Sequence, residues 1–331
     1  MENIVISKDK TQIIKGFAIL FMILHHSLIK EFYLDPPALL SSFVAIRLQI
    51  GMKMCVGIFT FVVGYGSFYA KDVDIHYIKS HIWRLLKQYW LILFITIALV
   101  VIRGGGVDYQ DVALNLFGLK HSFNLGNWYI YFYIYAMLIL PLVAKILKSK
   151  ELIKAILVVS VAGISSYFVP RDTIVGEVVK SCLEWTPLLV IGFVSAKTQI
   201  LSKLSTYINN VYLWLIIVLL AVAIRCCISG IIGIKTDVIS VPVFVISIAA
   251  IFTGREHSII GKTLSVLGTN STYMWFIHCL FFSSATNAIF QSWSIWPNNI
   301  IILYISVTVV TLLLSIFLKN IISYISLKKT K

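Results

Sequence analysis

Two residues in the first apolar segment have the types and the spacing for proton-transfer chemistry inside a membrane. Lys15 and His26 are eleven positions apart. In an α-helix this spacing is about 20° past three full turns, so both side chains lie on one helix face. The helical rise separates them by about 16 Å along the axis. We therefore expect a lysine at the cytoplasmic membrane edge and a titratable imidazole, His26, near mid-bilayer.

The other histidines in apolar segments allow more than one role. An ionisable side chain inside a membrane span is costly and is a functional candidate by default. A histidine can also simply hydrogen-bond another helix. His25 points about 100° away from His26, and helix packing suits it better. For His278, in a late apolar segment, a cavity shared with His26 and a packing role both stay open.

Further candidates lie where apolar segments begin. Arg84 and Lys87, in HIWRLLKQYW, are three positions apart and hence neighbours on a helix face. They fit an aromatic belt with snorkelling cations, or a basic mouth for a phosphate-bearing ligand on the cytoplasmic side. Trp128, in GNWYIYFYIY, is expected at the outer interface. An aromatic belt is favoured there over a sugar-stacking surface.

The segments that carry these residues have the composition of membrane spans. The sequence is 59% hydrophobic and 13% charged, about half the charged share of a soluble domain. Apolar runs near twenty residues cross a hydrocarbon core of about 30 Å, whereas a β-barrel would show shorter alternating segments. The predicted fold is all-α: a polytopic integral membrane protein, one domain over residues 1–331, with about ten transmembrane helices. The predicted spans are 12–30, 52–70, 85–102, 127–147, 152–169, 185–197, 209–228, 238–253, 271–290 and 299–318.

The distribution of positive charge orients the chain. If the N-terminus is cytoplasmic and the spans alternate, most of the 28 Lys and Arg residues fall in cytoplasmic segments, which favours both termini in the cytoplasm. Such residues are ordinary near anionic headgroups, so the net charge of +14 needs no nucleic acid. The first apolar run lacks a small-residue cleavage site and is not a signal peptide by this criterion. We expect a multi-pass protein of the plasma membrane, in contact with membrane lipid.

The cysteines suggest neither a metal site nor a disulfide framework. All five lie in or beside apolar segments, without CxxC or CxxH spacing. Buried thiols are the simpler interpretation, and no metal is expected.

Five short motifs occur in a recognisable order. They are a basic residue with His eleven positions later, a Phe-rich stretch ending in Gly-Tyr, paired basic residues, a Trp-Tyr pair, and a late segment ending in His. The matching residues are Lys15-Gly16 through His26, Phe59 through Tyr65, Arg84 with Lys87, Trp128-Tyr129, and Ser271 through His278. The chain thereby resembles the acyltransferase-3 family of integral-membrane acyltransferases, close to its polysaccharide O-acetyltransferase members. Lys15 replaces the commoner Arg, and Val63 stands where Ser usually precedes Gly64.

This resemblance implies an acyl-CoA donor on the cytoplasmic side, a hydroxyl acceptor that is often a sugar, and ten or more spans without a metal. The family's catalytic histidine corresponds to His26. The phosphates of CoA need cations, which Lys15, Arg84 and Lys87 would supply. The further candidates for the cavity or the acceptor site are His25, Tyr65, Trp128 and His278.

We therefore expect an O-acyltransferase with acetyl-CoA as co-substrate and no bound cofactor. The acceptor would be a cell-surface glycan, an exopolysaccharide or a lipid-linked precursor. His26 would remove the proton of the acceptor hydroxyl, or would itself form an acyl-His intermediate. The sequence leaves both open.

Two other functions fit a polytopic membrane protein. A transporter or flippase of a lipid-linked sugar would also have many spans and intramembrane polar residues, but no inverted repeat is evident. A glycan polymerase would be expected to have a larger outer loop than 103–126. The outer domain attached in some relatives is not expected, because the chain ends at Lys331 soon after the last span. A polysaccharide-assembly protein is therefore a candidate partner.

Overall fold

The computed structural model describes residues 5–29, 42–70, 73–124, 126, 128–147, 152–228, 236–282 and 299–328. The regular elements in these residues are helices. In chain order they are α1 (Lys8–Ser27), α2 (Ser42–Met52), α3 (Met54–Phe68), α4 (Ile75–Ile102), α5 (Tyr109–Leu116), α6 (Trp128–Ile146), α7 (Leu152–Phe168), α8 (Ile174–Lys197), α9 (Ile200–Tyr207), α10 (Val211–Cys227), α11 (Asp237–Ile251), α12 (Ile259–Phe282) and α13 (Ile300–Lys328).

Each of the ten predicted spans overlaps one of these helices, and three of the described helices were not predicted. The unpredicted helices are α2, α5 and α9. The span predicted at 185–197 is the second half of α8, which starts at Ile174. The first turns of α8 contain polar residues, so the hydropathy pattern predicted a helix shorter than the one observed. Residues 283–290, in the ninth predicted span, lie outside the described residues.

The described helices are those of a membrane protein. Five stretches are long and apolar enough to cross a bilayer: Phe43–Phe68, Ile75–Ile102, Trp128–Ile146, Ile174–Lys197 and Ile300–Tyr324. The first of these joins α2 and α3 across Lys53. The helices α7, α10 and α11 are apolar but shorter. The two helices that carry the intramembrane histidines, α1 and α12, are long but more polar.

These two more polar helices pack side by side in the core of the bundle. Gly16 faces the backbone of Leu264, and Gly268 faces the backbone of Gln12, with no room for a Cβ atom at either glycine. Small residues let membrane helices approach closely in this way. Gly268 also lies close to the backbone of Gly16, and His278 contacts His26. The two residues of each pair are 252 positions apart in the sequence. The two helices therefore run parallel in one register.

The helices α2 and α3 run antiparallel to α1. The Tyr65 hydroxyl, near the end of α3, accepts a hydrogen bond from the backbone N–H of Ile6 at 3.1 Å. At the other end, Nδ1 of His25 lies 2.7 Å from the carbonyl oxygen of Gln49 in α2. Gly64 packs against the backbone of Leu189 in α8. The end of α3 is thus fixed beside the start of α1.

The connection between α4 and α6 folds back into the bundle. The hydroxyl of Tyr89 donates to the carbonyl oxygen of Asn115 at 2.5 Å, and Nε1 of Trp90 donates to that of Leu116 at 2.9 Å. Nδ2 of Asn124 donates to the carbonyl oxygen of Phe276 at 3.1 Å. Irregular backbone at membrane depth is tolerated only when it is buried and satisfied in this way. Consequently α6 begins deep in the bundle, near the histidines.

Candidate active site

A cavity of about 360 Å³ lies between α1, α3, α4, α6 and α12. Its apolar walls include Phe59, Leu85 and Trp275. Its basic side chains are Lys15, His25, His26, Lys53, His81 and Arg84. Among the described residues, neither aspartate nor glutamate lines it. In the part of the chain that the structure describes, the cavity therefore combines apolar walls with cations and no acidic side chain, a setting suited to an anionic ligand.

His26 is held by a chain of hydrogen bonds that specifies its tautomer. Nδ1 of His278 lies 2.5 Å from the carbonyl oxygen of Trp275 and 3.2 Å from that of Met274. A carbonyl only accepts, so Nδ1 of His278 carries the proton and its Nε2 is an acceptor in the neutral ring. Nδ1 of His26 lies 2.9 Å from this Nε2 and therefore donates to it.

This chain of bonds leaves Nε2 of His26 with a free lone pair. His278 is fully buried behind His26, whereas His26 lines the cavity. The ring of Phe282 stacks on His26 with centroids 5.9 Å apart. A second group that fixes the tautomer of an imidazole and its orientation is a recurring feature of general bases. The geometry makes His26 competent to remove a proton or to act as a nucleophile.

His25 also lines the cavity, on a different side of α1. Its Nδ1 donates to the carbonyl oxygen of Gln49, and its ring centroid lies 5.0 Å from that of His26. The donated proton at Nδ1 leaves Nε2 as an acceptor. The structure thus gives His25 both a packing contact and a position at the cavity.

The basic residues of α4 separate into two groups. His81, Arg84, Leu85 and Gln88 line the cavity, as expected of one helix face with i, i+3, i+4 and i+7 spacing. Nδ1 of His81 donates to the carbonyl oxygen of Tyr77 at 2.9 Å. Lys87 does not line the cavity, and its Nζ lies 5.7 Å from the ring centroid of Trp83. Only one of the two predicted cations on α4 therefore reaches the cavity.

Two aromatic candidates have different positions. Trp128 lines the cavity and stacks on Trp185 with centroids 6.2 Å apart. Tyr65 does not line the cavity. It is buried and holds the N-terminal segment through Ile6.

Two basic residues of the cavity, Lys53 and His81, were missed by the sequence reasoning. His81 lies three positions before Arg84, on the same face of α4, and this spacing could have revealed it. Lys53 stands alone at the start of an apolar run, which is the ordinary place for an interfacial lysine. No local signal shows that it turns toward the histidines. Among the described residues, no group of three or more His, Cys, Asp or Glu could hold a metal ion.

Comparison with known proteins identifies one family. The model of the acyltransferase-3 family, described as an acyltransferase domain, matches residues 11–320. Neither a search of curated proteins nor a search of solved structures finds a match. The matched range contains every residue that lines the cavity.

Proposed function

The chain belongs to the acyltransferase-3 family, and from this membership and the central cavity we propose that it is a membrane O-acetyltransferase. It transfers an acetyl group from cytoplasmic acetyl-CoA to a hydroxyl of a cell-surface glycan, an exopolysaccharide or its lipid-linked precursor. The observation that carries the proposal is the free Nε2 of His26, presented to the cavity by His278.

The cations of the cavity support a CoA donor. Lys15 is the eighth residue of α1 and Arg84 the tenth of α4, so both would lie on the cytoplasmic side if these helices begin there. The 3′-phosphate and pyrophosphate of CoA are anions that lysine and arginine bind well. His81, beside Arg84, adds a further donor when protonated. Lys87 is exposed and does not line the cavity, so it adds positive charge only to the surface of the cytoplasmic side.

The proposed reaction is a direct transfer. Nε2 of His26 takes the proton of the acceptor hydroxyl, and the oxygen attacks the thioester carbonyl carbon. The tetrahedral intermediate expels CoA as a thiolate, which takes the proton back from the imidazolium. An acyl-His26 intermediate uses the same lone pair in two steps. It would give ping-pong kinetics, whereas direct transfer requires both substrates bound together.

The proposal includes a membrane arrangement. Ten spans cross the plasma membrane with both termini in the cytoplasm, and acetyl-CoA enters between α1 and α4. Lys10 lies 3.7 Å from Glu256 (Nζ to Oε1), which brings the start of α1 to the turn before α12. Both would then be cytoplasmic. A polysaccharide-assembly protein that delivers the acceptor is the proposed partner.

The test is turnover of labelled acetyl-CoA by membranes that contain this protein, with cell glycan supplied. We expect transfer by the wild type and loss of transfer in His26→Ala. The matched control is His257→Ala, which removes an exposed histidine outside the cavity and should leave transfer unchanged. Protein abundance and elution of the solubilised protein are compared in all three.

The outcomes separate the alternatives. A wild type that consumes no acetyl-CoA contradicts the enzyme and favours a transporter of lipid-linked sugar. Equal transfer by His26→Ala retains the enzyme and excludes His26 as the base.

A further inference from the structure

One cation of the cavity has no role in the binding of CoA proposed above. Lys53 forms the turn between α2 and α3, where its backbone N–H donates to the carbonyl oxygen of Gln49 at 3.3 Å. Its own carbonyl oxygen accepts from the N–H of Val56 at 3.3 Å. The backbone of Lys53 is therefore fixed, and its exposed side chain lines the cavity.

This lysine lies beside the reaction centre rather than beside Lys15. The Gln49 carbonyl that accepts the bond from Lys53 also accepts the bond from Nδ1 of His25. Lys53 lines the same cavity as His25 and His26. Lys15, by contrast, is about 16 Å from His26 along α1.

The described protein offers Lys53 no counter-ion. No ion pair with Lys53 occurs among the described residues. The buried acid of this region, Asp237, is bound by Arg225, with Nε 2.9 Å from Oδ1. The ammonium of Lys53 is exposed and is not engaged by any of these acids, so its charge is available to a ligand that enters the cavity. A carboxylate or phosphate of such a ligand would form a charge-assisted hydrogen bond with it.

We propose that Lys53 and His25 form an acceptor subsite that selects glycans with an anionic group near the acetylated hydroxyl. The ammonium of Lys53 pairs with a carboxylate or phosphate of the acceptor. The free Nε2 of His25 accepts a hydrogen bond from a neighbouring hydroxyl, and the target hydroxyl then faces Nε2 of His26. This inference rests on the proposed function and specifies its acceptor as an acidic sugar or a phosphate-linked glycan.

The experiment measures acetyl transfer to two acceptor pools. Glycan extracted from the cell envelope is separated by anion exchange into an anionic and a neutral pool. Initial rates with labelled acetyl-CoA are measured against the concentration of each pool, for the full chain in membranes. The variants are Lys53→Met, Lys53→Arg, and Arg47→Met as the matched control. Arg47 is a cation of α2 whose guanidinium lies 5.1 Å from the ring centroid of Phe43 and which does not line the cavity.

We expect the wild type to acetylate the anionic pool. Lys53→Met should raise the half-saturating concentration of that pool about 10- to 100-fold, the effect of losing one charge-assisted hydrogen bond. Lys53→Arg should retain most of the affinity, and Arg47→Met all of it. The KM for acetyl-CoA and the slow hydrolysis of acetyl-CoA should be unchanged in each variant.

Several results would overturn the subsite. These are equal transfer to the neutral pool, a raised KM for acetyl-CoA in Lys53→Met, or equal losses of transfer and hydrolysis without a change in acceptor affinity. Hydrolysis of acetyl-CoA by the wild type with transfer to neither pool also overturns it. By contrast, a wild type without any turnover of acetyl-CoA overturns the proposed function itself.

The labelled product distinguishes the two sources of the anion. Chemical reduction of glycan carboxyl groups abolishes acceptor activity if the anion is that of a sugar acid. Label that partitions into organic solvent and is released by mild acid identifies a lipid-linked phosphate.

Discussion

At the scale of residues, the reactivity of His26 depends on a neighbour that is distant in sequence. His278 donates from Nδ1 to backbone carbonyls of its own helix, and this leaves only its Nε2 to accept from His26. A rotated or differently protonated His26 would present the wrong nitrogen to the cavity. His278 is therefore a positioning residue, which acts on the reaction through His26.

Replacing His278 should lower kcat according to whether the new side chain can accept a hydrogen bond. His278→Leu removes the acceptor and should reduce kcat by about 10- to 100-fold, as losses of similar outer partners do. His278→Gln keeps a carbonyl oxygen and should retain more activity. The KM for acetyl-CoA should change in neither variant. Steady-state kinetics measure this, with thermal unfolding as the control for folding.

Equal kcat values for the two variants at equal stability would contradict the positioning role. A purely structural role would instead lower the melting temperature of both and leave kcat per folded molecule unchanged.

At the scale of elements, the site depends on how closely α1 and α12 approach. The glycines at the contact, Gly16 and Gly268, let backbone meet backbone. This approach fixes the register that brings His26 to His278. A membrane bundle gains little from the hydrophobic effect between helices, so such packing carries much of its stability.

A methyl group at this contact should both destabilise the bundle and displace the histidine pair. We expect Gly16→Ala to cost about 1–3 kcal/mol of stability, because the new Cβ atom would overlap the backbone of Leu264. The matched control is Gly163→Ala in α7, where a Cβ atom meets nothing within 4 Å. Its stability should be equal or slightly higher, since alanine favours helix. Thermal unfolding in detergent, together with turnover of acetyl-CoA, compares the two variants.

Unchanged melting temperature and turnover in Gly16→Ala would show that the α1–α12 contact can open without consequence. The close approach would then not be what positions His26.

At the scale of the whole molecule, polarity increases from the outside of the bundle to its centre. The stretch Ile300–Tyr324 is the most apolar, and little of it is buried. The histidine-bearing α12 is mostly buried. The contacts of Ile6 with Tyr65 and of Lys10 with Glu256 bring the start of α1, the end of α3 and the turn before α12 together at one end of the bundle. His278, a side chain that is costly to expose to lipid, is thus kept inside the bundle.

The proposed orientation predicts which residues a membrane-impermeant maleimide reaches in intact cells. Tyr109, which is 90% exposed, lies in the 103–126 connection, and His257 lies in the turn before α12. With the exposed Cys227 changed to serine, Tyr109→Cys should be labelled from outside and His257→Cys only after the membrane is permeabilised. The opposite pattern would show that the topology is inverted. Lys15 and Arg84 would then lie on the outer side, where cytoplasmic acetyl-CoA could not reach them.

Local properties of the chain determined the helices and the best candidate base. Hydropathy located a helix in each predicted span, and helical periodicity placed Lys15 and His26 on one face that lines one cavity. Both depend only on neighbouring residues and on the fixed geometry of a helix. For the same reason, the pattern could not show that Arg84 reaches the cavity and Lys87 does not, since both are basic residues at the start of the same apolar segment.

Tertiary structure alone decided which residues meet. The pairing of His26 with His278 depends on the register of two helices joined by more than two hundred residues, and no local pattern encodes it. The inward fold of the 103–126 connection, which places Trp128 in the cavity, depends on hydrogen bonds to α4 and α12. The position of Lys53 depends on the turn between α2 and α3 beside α1. In each case the deciding contacts form only when distant segments are packed together.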